Sequence, residues 1–360
     1  MRPLSIAIIS HLKYPIKEPF AGGLEMHTHL LARHLIKRGH KVKVFATTHT
    51  DPSIGVEAIC DATELENVGT EEARDIVFFK EHHAYLNLMM RLRKSDFDII
   101  HNNSLHYLVV SLADTVPMPM VTVLHTPPFC WLESGIRCAF TKNNHFIAIS
   151  EKIKNMWSPV MPIERVIPNG IDLNNFPFQE EASPESYAIW YGRIVPEKGL
   201  HFAIDAAKIA GIKLKFAGPI ANQEYYNQKI LPRLTDDTQY LGHMAHEELA
   251  KYIAHAKVTL CTPCWEEPFG LVLVESLACG VPVAGFKRGA LPEIITDDCG
   301  ALAEENDAKG LAEAVTKAIK CKRSQCRARA KKIANSETMI SQYENFYYTI
   351  LKEQQNLAAG

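Results

Sequence analysis

Short apolar runs rich in β-branched residues alternate with helix-periodic segments along nearly the whole chain, and this alternation narrows the fold more than any other feature. Residues 4–10, 41–47, 98–101, 120–125 and 145–150 read as buried strands, with helices over 24–38, 82–94 and 151–157. A cluster of turn formers at 166–184 interrupts the pattern, which then restarts. Strands are expected over 187–194, 214–217, 239–242, 258–261 and 282–286, and helices over 200–210, 224–231 and 247–255. Strands apolar on both faces and separated by helices belong to parallel sheets covered on both sides. The expectation is therefore α/β, with two Rossmann-like domains and a hinge within 166–184. Residues 51–68 read as loop, 76–79 as a further strand, 341–353 as a last aromatic-rich helix and 354–360 as a tail.

A chain of 360 residues suits two domains, and a formal charge of -2 gives no global attraction to nucleic acid or to an acidic membrane. Nine cysteines, an odd number without a charged-then-apolar leader ahead of them, point to reduced thiols and a cytoplasmic protein. No run reaches the roughly 18 apolar residues that a transmembrane helix needs. Cys261 and Cys264 form a lone C-x-x-C with no second pair, so no metal site is expected. Residues 317–332 are strongly basic and read as a solvated helix face, with weak peripheral membrane contact as the alternative.

The stretch from Trp265 to Val283 carries the most chemistry. Pro268 and Gly270 break regular structure, and the apolar run from Leu271 to Cys279 then reads as a helix starting near Phe269 or Gly270. First-turn amides, here those of Gly270, Leu271 and Val272, have no intrahelical acceptor, so they and the helix dipole form an anion site suited to a diphosphate. Glu267 before the helix and Glu275 inside it would flank that anion, since eight helical residues rise roughly 12 Å. Each carboxylate can accept hydrogen bonds from sugar hydroxyls. Alternatively, Glu267 only complements the helix dipole, and Glu275, in an apolar helix, only meets a structural partner.

The block E-P-F-G-L-V-L-V-E-S-L-A-C-G-V-P-V resembles the E-x7-E signature of retaining GT-B glycosyltransferases, in particular glycosyltransferase family 4. Two further segments carry the same resemblance. Gly192-Arg193 through Lys198-Gly199 matches a G-R-x4-K-G turn, and Gly22-Gly23 matches a G-G loop, while the G-x-G-x-x-G of dinucleotide enzymes is missing. Arg193 can grip phosphate with its planar fork and Lys198 adds a compact charge, so together they would stabilise a leaving diphosphate. Pairing with a neighbouring acid such as Glu197 is the alternative for Lys198. His125 follows a strand end, where ligands of open α/β sheets gather, and it matches the family's strand-end histidine; His101 and His106 compete for that role. Asp96-Phe97-Asp98 is formally D-x-D, yet Asp98 opening a strand explains it, and Ser150 reads as a helix cap.

The resemblance covers nearly the whole chain and implies a GT-B fold. Residues 1–170 would form an acceptor-binding domain, 171–338 a nucleotide-sugar-binding domain facing it across a cleft, and 339–360 a helix packing back on the first domain, with tail. It implies sugar transfer from a nucleotide-diphosphate sugar with retention, without metal or cofactor. His125, Arg193, Lys198 and Glu267 would be catalytic. Gly22, Gly23, Phe269, Gly270, Leu271, Val272 and Glu275 would join Arg193, Lys198 and Glu267 in holding the donor. The acceptor, whether glycan, lipid or small molecule, and the base, whether uracil, guanine or adenine, stay open. Rival readings are a nucleotide-sugar epimerase, a non-catalytic sugar-nucleotide or glycan-binding subunit, and an NAD-dependent dehydrogenase.

Overall fold

The structure is a computed structural model that describes residues 2–63, 71–139, 143–182 and 184–359, without the side chains of 71–74 and 357–359. Residues 64–68 of the expected loop, residue 183 of the linker and residue 360 lie outside the described residues; the rest of the expected tail, 354–359, is not a tail but continues the last helix. The chain divides into two compact units, Met1–Pro168 with Glu337–Gly360, and Asn169–Ser336.

The first unit contains β1 (Ser5–Ser10), α1 (Gly23–Lys37), β2 (Lys41–Thr47), β3 (Val56–Cys60), α2 (Glu71–Leu92), β4 (Ile99–Asn103), α3 (Tyr107–Ser111), β5 (Met120–Leu124), α4 (Cys130–Cys138), β6 (Asn144–Ala148), α5 (Glu151–Trp157) and β7 (Arg165–Val166). All pairings are parallel, in the order β3-β2-β1-β4-β5-β6-β7. Strands β4 and β5 are buried at every position, as interior strands of a doubly covered parallel sheet should be; β5 is an unbroken apolar or β-branched run, whereas β4 ends in the buried polar residues His101, Asn102 and Asn103. Two expectations fail here. Residues 76–79 lie inside α2, because no turn former bounds that short apolar run and the surrounding helix continues through it, leaving Ile76 and Phe79 exposed. The expected loop contains β3, a half-buried edge strand that follows Gly55 in a left-handed conformation (φ 73°) and whose Glu57 masks the apolar pattern.

The last helix, α13 (Ser336–Ala359), belongs to this unit from Glu337 onward. Its Tyr343, Phe346, Tyr347 and Ile350 recur at helical spacing and are buried. Burial of each contributes roughly 1.5–3 kcal/mol. The helix is pinned by Arg38 to Glu337 and Glu344, by His40 Nε2 to Glu344 Oε1 at 2.7 Å, and by the Tyr348 hydroxyl donating to Arg2 O at 2.6 Å.

The second unit contains β8 (Tyr187–Tyr191), α6 (Leu200–Ala210), β9 (Lys213–Ala217), α7 (Gln223–Tyr225), β10 (Thr238–Tyr240), α8 (His246–His255), β11 (Val258–Cys261), α9 (Leu271–Ala278), β12 (Val283–Phe286), α10 (Leu291–Ile294), β13 (Gly300–Ala303), α11 (Ala308–Ala318) and α12 (Arg323–Ile333). Its parallel sheet runs β10-β9-β8-β11-β12-β13. The helix expected over 224–231 is α-helical only to Tyr225; Tyr226–Ile230 widens into a π-helix ahead of Pro232. Small residues hid β13 from the sequence pattern.

The basic segment is not one solvated face. The guanidinium of Arg323 donates to Gln179 O (2.7 Å), Ala256 O (2.9 Å), Ala254 O (2.5 Å) and Cys279 O (3.3 Å). Arg327 donates to Phe176 O (3.0 Å), Leu173 O (3.1 Å) and Ala278 O. Arg329 donates to Ile294 O (2.9 Å) and Glu293 O (2.7 Å). These carbonyls include the C-terminal ends of α8 and α9, where oxygens lack helical partners and the dipole is negative. Of the basic residues in the segment, only the lysines are exposed. Among the described residues no helix is long and apolar enough to cross a membrane.

Both sheets follow one order, with the second and third strands on one side of the first and the rest on its other side, which is the doubly wound Rossmann arrangement. With the last helix on the first unit, this is the architecture of the GT-B class.

Candidate functional site

In the second unit the chain leaves β8 toward β9 on one side and reaches β12 from the adjacent β11 on the other. Open α/β sheets bind ligands at such a switch point, beyond the carboxyl ends of the two strands. The loops that leave β8 and β11 are bonded together there. The Thr262 hydroxyl lies 3.0 Å from Lys198 O and 2.9 Å from Gly199 O, Trp190 Nε1 donates to its oxygen at 3.1 Å, and Cys264 N donates to Glu197 O at 2.7 Å. Gly199 has φ 65°, and a Cβ on it would fall 2.1 Å from Thr262 O, so only glycine permits this approach.

That approach sets the Lys198 ammonium 2.6 Å from Glu267 Oε2. Trp265 Nε1 donates to the same oxygen at 3.0 Å, and its ring lies under the ammonium, 5.3 Å from Nζ. Lys198 thus pairs across the switch point and not with Glu197. Glu267 is nearly buried, and its Oε1 accepts from none of the described residues. The backbone of Glu267 is also held: its carbonyl accepts from Ala290 N at 2.9 Å, and Gly289 (φ 60°) packs so close that a Cβ would lie 2.4 Å from Glu267 N.

Gly270, with φ 87°, is the N-cap residue of α9, and no side chain caps the amides that follow. Phe269 is buried beneath the turn. Glu275 is buried in α9, 3.4 Å by Oε1 from His246 Nε2. It also faces Tyr191, whose hydroxyl donates to Val272 O at 2.8 Å; burial first, and the Glu275 charge second, hold that phenol well above its ordinary range. Arg193 is exposed, and its guanidinium is bonded to none of the described residues. The structure therefore joins Lys198 to Glu267, seats Glu275 with His246 and Tyr191, and leaves the Arg193 fork open.

Sequence reasoning missed Trp265, Thr262, Tyr191, His246 and Gly289. Only Trp265 had a signal, since a half-buried indole N–H seeks an acceptor and Glu267 stands two residues away.

In the first unit His125 follows β5, and its Nε2 lies 2.9 Å from Oδ1 of Asn103, the last residue of β4. Burial, and then the neighbouring His27, His101 and His11, push its pKa well below the ordinary value, so this imidazole is neutral. His101 bonds Asn103 and the Tyr347 hydroxyl, and His106 caps α3 through Leu108 N at 3.3 Å, so both have structural partners. Gly22 is the extended N-cap residue of α1 (φ −168°); a Cβ on it would lie 3.1 Å from Glu25 Oε2. Gly23 opens that helix.

Asp98 accepts from Arg2 Nη2 at 2.6 Å and from Ser5 N at 2.7 Å, which accounts for the D-x-D. The Ser150 hydroxyl caps α5 through Ile153 N at 3.1 Å. Among the described residues no group of three or more His, Cys, Asp or Glu could hold a metal. Burial pushes the Cys261 thiol up to about 12.

Comparison with known proteins agrees with this geometry. The family model described as Glycosyltransferase Family 4 matches residues 21–175, and that described as Glycosyl transferases group 1 matches 173–336. A glycogen synthase of Mycobacterium tuberculosis is 26% identical over 82% of this chain and 81% of its own length. Among solved structures, sucrose-phosphate synthase of Thermosynechococcus elongatus superposes with a TM-score of 0.76 over 99% of both chains at 21% identity. Anabaena HepE in complex with UDP-glucose gives 0.74 over 96% of this chain and 100% of its own at 18% identity. The two family models divide the chain where the two Rossmann-like units meet in sequence, and the chain is a GT-B glycosyltransferase of the family 4 type.

Proposed function

We propose that this glycosyltransferase transfers a sugar from a nucleotide-diphosphate donor with retention of configuration, without metal or cofactor, binding the donor on the second unit and the acceptor on the first. The reading rests above all on the 2.6 Å contact between Lys198 and a Glu267 whose second oxygen is open. Arg193, Lys198 and the first amides of α9, those of Leu271 and Val272, hold the diphosphate. Glu267 Oε1 accepts from hydroxyls of the transferred sugar, and Glu275 from the ribose. Because Glu267 and Trp265 fix the ammonium in advance, its charge meets the leaving phosphate without reorganisation. The acceptor oxygen bonds to the anomeric carbon on the face from which phosphate departs. The carbon–oxygen bond to phosphate breaks, and the acceptor proton passes to a phosphate oxygen. Gly22 and Gly23 approach the donor phosphates, Phe269 and Gly270 shape the turn beneath them, and His125 contacts substrate. Nine free thiols support a cytoplasmic location.

HepE is solved with UDP-glucose, which makes UDP-glucose the first donor to try, followed by GDP- and ADP-sugars. Lys198→Ala is expected to lower kcat by roughly 10²–10³ with the unfolding midpoint unchanged. Turnover equal to that of the unsubstituted protein in a folded variant rejects the role of Lys198. An inverted anomeric centre in the product, read by NMR, rejects retention.

A further inference from the structure

Asn103 is fully buried at the end of β4. Its Nδ2 donates to Thr28 Oγ1 at 3.2 Å, and the Thr28 hydroxyl directs its own hydrogen to Leu24 O at 2.9 Å. Thr28 can then only accept from Asn103. This orients the amide, with its nitrogen toward α1 and its oxygen toward the histidines. Asn103 Oδ1 lies 3.1 Å from His101 Nε2 and 2.9 Å from His125 Nε2. An amide oxygen has no proton to offer, so both imidazoles carry their hydrogen on Nε2. The Nδ1 of His101, left with a lone pair, accepts from the Tyr347 hydroxyl of α13 at 2.6 Å. The Nδ1 of His125 is bonded to none of the described residues.

The groups facing His125 are His27 from α1, with ring centroids 4.8 Å apart, His101 from β4, and His11 from the loop after β1; His11 Nε2 is itself 2.8 Å from Glu25 Oε1. Burial keeps His27 at about 4 and His101 at about 3, so neither supplies a charge near neutral pH.

We propose that Asn103 is a positioning residue: by accepting from both Nε2–H groups it locks His125 as the Nε2–H tautomer and reserves the Nδ1 lone pair for a substrate hydroxyl. The inference rests on the reading that His125 contacts substrate. In this state His125 accepts a hydrogen bond without donating one from Nδ1. A sugar hydroxyl, which has a hydrogen to give, is therefore favoured at that point over a phosphate or carboxylate.

The test uses the full chain labelled with ¹⁵N at histidine. Without substrate, the His125 resonances are expected to report Nε2–H and a bare Nδ1; a bare Nε2 overturns the proposal. In Asn103→Leu the His125 tautomers should mix and kcat/KM should fall about tenfold, as for one lost hydrogen bond. If His125 stays Nε2–H in that variant, another group sets the tautomer and the proposal fails. Asn103→Asp keeps two acceptor oxygens but adds a negative charge, which raises the imidazole pKa. It should retain activity at about pH 8 and lose it as pH falls toward about 6, by protonation of Nδ1, while the unsubstituted protein stays flat over that range. Should Asn103→Leu not fold, an unchanged pH profile in Asn103→Asp is sufficient to reject the proposal. Tyr347→Phe, which removes the hydroxyl bonded to His101 and keeps the ring, should leave the His125 tautomer unchanged. His125→Ala separates the two levels: unchanged kinetics there reject substrate contact by His125, even where the tautomer behaves as expected.

Discussion

At the carboxyl edge of its sheet the first unit buries neutral imidazoles, whereas the second unit holds a lysine and two carboxylates at the corresponding edge. The strand order is the same in both. Burial without a compensating charge drives His27, His101 and His125 to the uncharged form, which leaves a network ordered by who donates to whom. In the second unit each acid meets a nearby basic group or ring, Lys198 beside Glu267 and His246 beside Glu275. One scaffold thus supports two electrostatic regimes, and the choice between them lies in a few side chains at the ends of strands.

Acid should separate the two units most widely. His27 and His106 have folded values of about 4 and His101 of about 3, all below the ordinary 6.5. In that window the unfolded chain binds protons that the folded unit does not, so their stability contribution is complete above about 6.5 and is lost as pH falls toward 4. From pH 7 to 5 the first unit should lose on the order of 5 kcal/mol. Hydrogen exchange resolved by residue should find its sheet opening before that of the second unit. The opposite order would break the comparison.

Gly289→Ala attacks the charged edge directly. A left-handed φ of 60° and a Cβ 2.3 Å from Glu267 O together should cost about 3–4 kcal/mol, read by denaturant unfolding, with activity falling as Glu267 shifts. A variant with stability and activity intact would mean that the loop does not seat Glu267. Arg327→Ala strips the donor from Leu173, Phe176 and Ala278 carbonyls and should cost about 2–3 kcal/mol, while solvated Lys332→Ala should stay within about 0.5. Equal effects would restore the reading of a purely solvated basic face. Trp265→Phe removes one of two donors to Glu267 Oε2 and should lower kcat/KM about tenfold, roughly 1.4 kcal/mol, with little change in stability. If only stability changes, the indole is packing and not part of the charged edge.

Much of this was legible in the residues, for definite reasons. Central strands such as β5 and β11 are unbroken apolar or β-branched runs, and α5 and α6 carry their own start and stop signals, so their limits follow from local pattern. The edges were not, because β3 carries a glutamate, β7 has two residues, and β13 is Gly-Ala-Leu-Ala. At the site, Lys198 and Glu267 stand out by the motifs around them. Their contact spans 69 positions and depends on β8 lying beside β11, which no local pattern states. The same holds for Gly289, whose reason for being glycine is the backbone of Glu267 and not a turn of its own.

The aromatic stripe of α13 has a consequence for how the protein is made. Tyr343 and Tyr347 close over the histidines of the first unit, yet they leave the ribosome after every strand of the second. During translation the nascent first unit must therefore wait with His101 lacking its hydroxyl, and the imidazole network reaches its final order only after the second unit has been synthesised.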